Sequence, residues 1–578
     1  MSGPRWRRLR LVLATAIEWS ACVIAMACVA RGDEWQDRRR ELDDESRRQF
    51  VTLAAKCDEL GLKPQGDLCR GWLLDRDRSK QFFSVVAASE SPRAGNGAAG
   101  GGAAGGGGES PALVEQWRNR FLKLRAGRAE RLFALAREAA EGGRGDLAFR
   151  WLHDVLREQP EHVDANRILD DSNARGPGRG RGRQVKSYSP KVDHAPLSWK
   201  RGQYWQVDTR HFRILTNHSQ QAGRDLGLRL EELLCVWQQL CFPIWSTNDA
   251  LQARFAGHDE PLGARRVFNV VLVKSRDEYV EKLRAAESRI ELTTGIYLDR
   301  QQTAYFYAGD ETTRPTWFHE AAHQLFQEML DAPPKIAATA NIWAVEAAAL
   351  YFESLNRGGG GPDETPWCSL GGLDAPRLQL ARYYVRRGAF YMPLSELVAL
   401  GREQLQSHEQ IRPIYTESAG LAHFLFDGDE GRWRAGWLKY LKAIYLGRDR
   451  ADTLALSTGV ELAELDQRFH AFLNVTDGEL ERLALNLDAR QLSLVRTAVS
   501  DTGLKAFAPT TKLELLDLAF TRTSGAALAS FRQNKKLKQL YLEGVGVTDE
   551  QAAELKNWPA LEELDLSGTP VGDAGLTH

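Results

Sequence analysis

At 578 residues the chain is too long for a single core, and roughly three to five folded units are expected. Its 43% hydrophobic and 26% charged content is ordinary for globular protein, and a net charge of −1 excludes charge-driven recruitment of nucleic acid or an anionic membrane. Sixteen Trp spread over several segments predict large buried aromatics in more than one domain.

The first elements concern export. Arg5, Arg7, Arg8 and Arg10 precede an apolar stretch from Leu11 to Ala30 that closes on small residues, and charged Arg31-Gly32-Asp33-Glu34 follows. That order matches a secretory signal peptide over 1–30. Glu18 interrupts the apolar run and leaves it short for a spanning helix. Cleavage, retention as an anchor and lipidation at Cys28 stay open. Each predicts an extracytoplasmic protein, secreted or held at the envelope, with membrane contact only through this segment if it is uncleaved. An oxidising compartment would permit a Cys57–Cys69 bridge. Cys235 and Cys241 fall on one predicted helix about 9 Å apart along its axis, too far to pair, and are expected to be buried.

A helical segment is expected over 33–91, with Phe50, Leu53, Ala54, Cys57 and Leu60 at three- and four-residue spacing. A Gly/Ala linker occupies 92–110. Helices return over 111–172, where Gly145 to Leu152, the following Gln159-Pro160 and then Val163-Asp164-Ala165 resemble the second half of one tetratricopeptide repeat; a small helical bundle is the alternative. The Gly/Arg stretch over 173–198, with RGPGRGRGR from Arg175 to Arg183, reads as a solvated linker.

From Trp199 the texture changes. Trp205–Val207 and His211–Leu215 read as strands, Gln220 to about Cys241 as a helix, and Val267–Val273 as a strand followed by a helix. Gly295–Leu298 and Ala304–Tyr307 form a predicted hairpin, and Pro315 to about Leu473 is mostly helical. The last hundred or so residues repeat: Leu513-x-x-Leu516-x-Leu518 returns as Leu537-x-x-Leu540-x-Leu542 and as Leu561-x-x-Leu564-x-Leu566, 24 residues apart, with an earlier copy from Ala489. This predicts leucine-rich repeats over 485–578, an α/β solenoid. Thr497, Thr521, Val545 and Thr569 stand where such repeats carry Asn, so the ladder needs other partners. The sequence stops at His578 inside a repeat, so either the array is truncated or something covers its end. The expected fold class is therefore multidomain α+β: an N-terminal helical region, a small sheet with a helical body, and a C-terminal solenoid.

The chemistry centres on His319-Glu320-Ala321-Ala322-His323. In a helix, residues i and i+4 share a face, so both imidazoles can reach one ion. Zinc takes His nitrogens and a carboxylate and leaves a fourth position open, and Glu320 is placed to take a proton from a water there. His423, four residues before Asp427, reads as structural, and Glu328 and Asp331 as solvated helix ends.

Trp343-Ala344-Val345-Glu346-Ala347-Ala348-Ala349-Leu350-Tyr351-Phe352-Glu353 resembles the W-L-x-E-G-x-A-x-Y-x-E segment of the gluzincins, the aminopeptidase-N-like and peptidase-MA-like zinc metallopeptidases. His323-Gln324 matches the H-E-x-x-H-Q form found there, and the likeness is greatest to bacterial HExxH domains of unassigned function. The resemblance spans 199–475. It implies Glu346 as third zinc ligand, Glu353 as a residue supporting the ligands, and Tyr415 (in Tyr415-Thr416-Glu417-Ser418-Ala419-Gly420) as donor to a developing oxyanion. Ala347 departs from the usual Gly, and no G-A-M-E-N-like run precedes the zinc helix. The latter argues for endopeptidase or carrier-peptide cleavage over aminopeptidase action. The expected cofactor is Zn2+, the expected partner a peptide or protein substrate, with a protein or cell-envelope partner for the repeats. A catalytically silent scaffold binding through its helical and leucine-rich repeats is the alternative.

Overall fold

The computed structural model describes residues 34–73, 77, 79–85, 110–169, 185–263, 266–309, 314–334, 336–358, 366–483 and 489–578. The signal-like segment, the Gly/Ala run and the Gly/Arg run lie outside them. The architecture is mixed α and β with several sheets, in two compact units. No helix among the described residues is long and apolar enough to cross a membrane.

The first unit contains residues 34–73, 110–169 and 254–257. Its helices are 34–59, Lys63–Trp72, Pro111–Glu141, Gly145–Glu158 and Val163–Leu169. Proline stands in the first turn of the second and third, where its missing N–H costs nothing. Phe50 and Trp72 meet Phe121 edge-on at its core. Buried Glu158 accepts from Trp72 Nε1 (2.9 Å) and Arg128 Nε (3.1 Å), so its charge is paired within the core. Cys57 and Cys69 are buried free thiols in this cluster.

The helical expectation for 33–91 needs correction at its end. Lys80–Ser84 is a strand of the second unit, antiparallel to Trp367–Gly371. Phe83 is fully buried there, and Gln81 donates to Tyr351 Oη (3.0 Å) and Asp427 Oδ1 (2.8 Å). A partner this distant in sequence leaves no local signal. The Gly/Arg linker is likewise shorter than expected, because Lys186–Tyr188 pairs with Trp205–Asp208.

The main sheet of the second unit has six strands in the order Lys186–Tyr188, Trp205–Asp208, Phe212–Thr216, Phe268–Val273, Thr303–Tyr307 and Gly295–Leu298. Phe212–Thr216, Phe268–Val273 and Thr303–Tyr307 run parallel, and the hairpin returns Gly295–Leu298 antiparallel at the edge. Phe268–Val273 is buried at every position but Asn269, as a parallel strand covered on both faces must be. Val271, Val273 and Tyr305 pack with Tyr279 and Trp199 on one face. Helix Gln220–Leu240, capped by Ser219 Oγ on Ala222 N, packs against Trp205–Asp208 and Phe212–Thr216.

After the hairpin come helices Arg314–Met329, Ile342–Phe352, Pro376–Arg387 and Ile411–Gly431. Ile342–Phe352 is buried all round except at Glu346, and Ala344, Ala347, Ala348 and Ala349 are fully buried. Such small residues let Arg314–Met329 and Ile411–Gly431 approach closely. Asn341 starts this helix in the left-handed region (φ 62°). Its side chain donates to Asp449 Oδ2 (2.8 Å) and Arg450 O (3.0 Å) and accepts from Tyr440 Oη (2.7 Å).

The C-terminal repeats place Gln491–Ser493, Leu515–Asp517, Gln539–Tyr541 and Glu563–Asp565 side by side as a parallel sheet. Leu492, Leu494, Leu516, Leu518, Leu540 and Leu542 fill one continuous core. The missing Asn ladder is replaced twice over. Thr497, Thr521 and Thr569 return Oγ1 to the carbonyl three residues back (2.6, 2.7 and 2.7 Å). Between repeats, Asp477 accepts from Ser500 N (2.7 Å), Asp501 from Ser524 N (2.7 Å) and Asp549 from Gly572 N (2.6 Å). Helix Pro376–Arg387 covers the free edge of the first strand, with Ser493 N donating to Gln379 Oε1 (2.6 Å) and Arg382 Nη1 to Ser493 O (3.4 Å).

Candidate metal centre

Helix Arg314–Met329 carries His319, Glu320 and His323; Ile342–Phe352 carries Glu346 and ends at Glu353. The helices pack so that one ligand atom from each of His319, His323 and Glu346 falls within 4.8 Å of the others. The two Nε2 atoms stand 3.1 Å apart, and Glu346 Oε2 lies 3.7 Å from that of His319 and 3.5 Å from that of His323. Ligands held about 2.0–2.1 Å from a tetrahedral ion are about 3.4 Å from one another. The three edges bracket that value, so the donor set fits a small divalent metal by size and by chemistry.

The support around the three is also present. His319 Nδ1 lies 3.1 Å from Glu353 Oε1, while its Nε2 faces the other two donors. Arg377 holds Glu353 with Nε (2.7 Å) and Nη2 (3.1 Å). Burial pulls the His319 pKa down, but Glu346 and Glu353 outweigh it and raise it to about 10. Burial opposes ionisation of Glu346, yet His323 and His319 hold it well below the usual carboxylate range. A cation suits this place.

Glu320 points from the same helix to the sheet edge, where its Oε2 accepts from Tyr297 N (2.8 Å). Gly295 makes this approach possible: a Cβ there would stand 2.8 Å from Thr316 Cγ2 and 3.3 Å from Glu320 Cγ. Tyr415, on Ile411–Gly431, comes to the same place, and its hydroxyl pairs with Glu346. Burial first, then the negative charge of Glu346, pushes its pKa far up, so it is a proton-bearing donor. All six residues singled out in the sequence thus lie together.

Glu328 is a correction. It is not a solvated helix end but 3% exposed, accepting from Gln324 Nε2 (2.9 Å) and Tyr297 Oη (3.3 Å). Gln324, in turn, donates to Asn269 O (3.1 Å) and ties the helix to the sheet. Asp331 remains exposed and pairs with Arg266. His423 is fully buried, edge-on to Tyr351, with Nδ1 3.7 Å from Asp427. Sequence reasoning missed Arg377, Asn341 and Gln81, each of which meets its partner only through tertiary packing.

No family model, curated protein or solved structure matches the chain.

Proposed function

We propose that the chain is an exported zinc-dependent metallopeptidase of gluzincin type, acting as an endopeptidase and carrying a leucine-rich repeat array. The observation that carries this reading is the approach of His319, His323 and Glu346 to within one ion's reach, with Glu320 beside them on the same helix. His319, His323 and Glu346 would hold the metal, which when bound supplies Lewis acidity, polarising a peptide carbonyl and making a water more acidic.

The protein's own groups do the rest. Glu320 takes the proton of the attacking water and returns it to the departing amine nitrogen. Its bond from Tyr297 N holds the carboxylate in place for both transfers. Tyr415 keeps its proton and donates a hydrogen bond to the oxygen that becomes negative as the carbonyl is attacked. Glu353, clamped by Arg377, keeps the His319 ring in the orientation that offers Nε2. Gly295–Leu298, the edge strand of the sheet, is tied to the helix of Glu320 through this same Tyr297 N bond.

The test is a peptide-library digest by the purified protein with and without chelator, beside the Glu320→Gln variant. Chelator-sensitive cleavage that vanishes in a metal-replete Glu320→Gln protein is the expected result. Bound metal with no cleavage of any peptide would make the protein a binding scaffold instead.

A further inference from the structure

Arg402 begins the short helix Arg402–Ser407 beside the first turn of the Glu346 helix. Three backbone bonds hold this segment there: Asn341 N to Val398 O (2.9 Å), Ile342 N to Leu400 O (3.2 Å) and Arg402 N to Ala338 O (3.2 Å). Gly401 allows the contact, since a Cβ at that position would stand 2.4 Å from Ala338 O. The placement of Arg402 is therefore set by the same backbone that starts the helix bearing Glu346.

Its guanidinium makes no ion pair among the described residues, and its Nε is buried without a hydrogen-bond partner. Arg377, the other arginine described at this site, is engaged by Glu353. Its positive charge reaches the hydroxyls of Tyr415 and Tyr445, where it opposes the upward push of burial and of Glu346. The Tyr445 hydroxyl is itself buried without a partner. The carboxylates that act on the same Tyr415 hydroxyl are already committed, Glu346 to the two histidines and Glu320 to Tyr297 N.

A partly desolvated guanidinium without a counter-charge is costly unless a ligand completes it. Its planar fork matches a carboxylate in two-point contact. In a site that acts on peptides, the available anion of that shape is a carboxylate of the substrate. We propose that Arg402 is a specificity-determining residue that pairs with a substrate carboxylate close to the bond being cleaved. This rests on the peptidase reading above. The carboxylate has two sources, the C-terminal group of a peptide or an internal Asp or Glu side chain.

The experiment is binding rather than turnover. Zinc-supplemented Glu320→Gln protein is titrated by calorimetry with three probes of one sequence: a neutral peptide amide, the same peptide with a free C-terminal carboxylate, and the amide with one internal Glu, moved along the sequence. The expected result is that one carboxylate probe binds about tenfold or more tighter than the neutral amide, and which one identifies the source. Adding Arg402→Met should abolish that margin at unchanged metal content, and Arg402→Lys should retain part of it. Equal binding of all probes, binding of none, or a margin that survives Arg402→Met would overturn the assignment. The peptidase reading fails by different signs: no metal uptake, or no cleavage of any peptide by the parent protein.

Discussion

Glu353 Oε1 stands 3.1 Å from His319 Nδ1 while Arg377 holds the same carboxylate from its other side with Nε at 2.7 Å. On the proposed metal reading, this carboxylate, itself held by a guanidinium, supports the His319 ring on the side away from the ion. Glu353→Gln is expected to weaken metal affinity about 10- to 100-fold, as loss of such support does elsewhere. Arg377→Met, which leaves the carboxylate in place but loose, is expected to cost less, about tenfold. Competition against a chelator reads both, with circular dichroism to confirm an unchanged fold. Equal affinity in all three proteins would remove Glu353 from the metal's support.

Tyr415 offers a separate test of the proposed catalysis. Its hydroxyl is directed at Glu346 and cannot ionise near neutrality, since burial and the nearby negative charges favour the protonated form. Tyr415→Phe keeps the ring and removes only the donor. The expected outcome is a fall in kcat of about 100- to 1,000-fold with KM and metal content little changed. A rise in KM at constant kcat would make Tyr415 a substrate-binding group rather than an oxyanion donor.

Much of this site was legible because its elements are local. His319 and His323 lie one turn apart on any helix, and the strand–turn–strand pattern at Gly295 to Tyr307 announced the hairpin that meets Glu320. The 24-residue period likewise set the strand register of the repeats. What could not be read was pairing across distance. Lys80–Ser84 meets a strand that lies ~290 residues further along the chain. Glu328 looked like a polar helix end because its burial depends partly on Tyr297, on another element, beside the bond from Gln324 on its own helix. Asp477, Asp501 and Asp549 fall on one 24-residue register with a position skipped, and that register is the signal that would have found the inter-repeat ladder. In the third repeat Gly525 stands at the same position, and Gln551 fills the space.

Glu417 predicts a stability that depends on pH. It is 2% exposed; burial raises its pKa from 4.5 to about 8, against the single bond from Met392 N (2.9 Å), and Oε1 has no partner. The folded protein therefore keeps a proton that the unfolded chain releases. Stability from this group is fully present below the unfolded value of 4.5 and is lost as pH rises through about 8. Glu417→Gln keeps an acceptor for Met392 and removes the titration. It should match the parent near pH 4 to 5 and exceed it by roughly 1–3 kcal/mol at about pH 8. Urea unfolding at the two pH values measures the difference, and parallel pH profiles would place the proton elsewhere.

The last prediction concerns how the repeats are fixed to the body of their unit. Helix Pro376–Arg387 has Arg377 near its start, on Glu353, and Arg387 at its end, on Asp517 (3.2 Å) and Glu543 (3.3 Å) of the repeat sheet. Asp517 is fully buried; burial raises its pKa, while Arg387 and the Ala519 N–H favour its charge. Removing the guanidinium would strand this carboxylate without compensation, a loss of about 3–5 kcal/mol for a buried pair and less here because Arg387 is partly exposed. Arg387→Ala should therefore destabilise the parent strongly but the Asp517→Asn protein much less, since the amide that replaces the carboxylate keeps the Ala519 bond and carries no charge to balance. Denaturant unfolding of the four proteins gives the coupling directly, and purely additive losses would mean that Arg387 acts through its stacking on Tyr383 and Tyr541 instead.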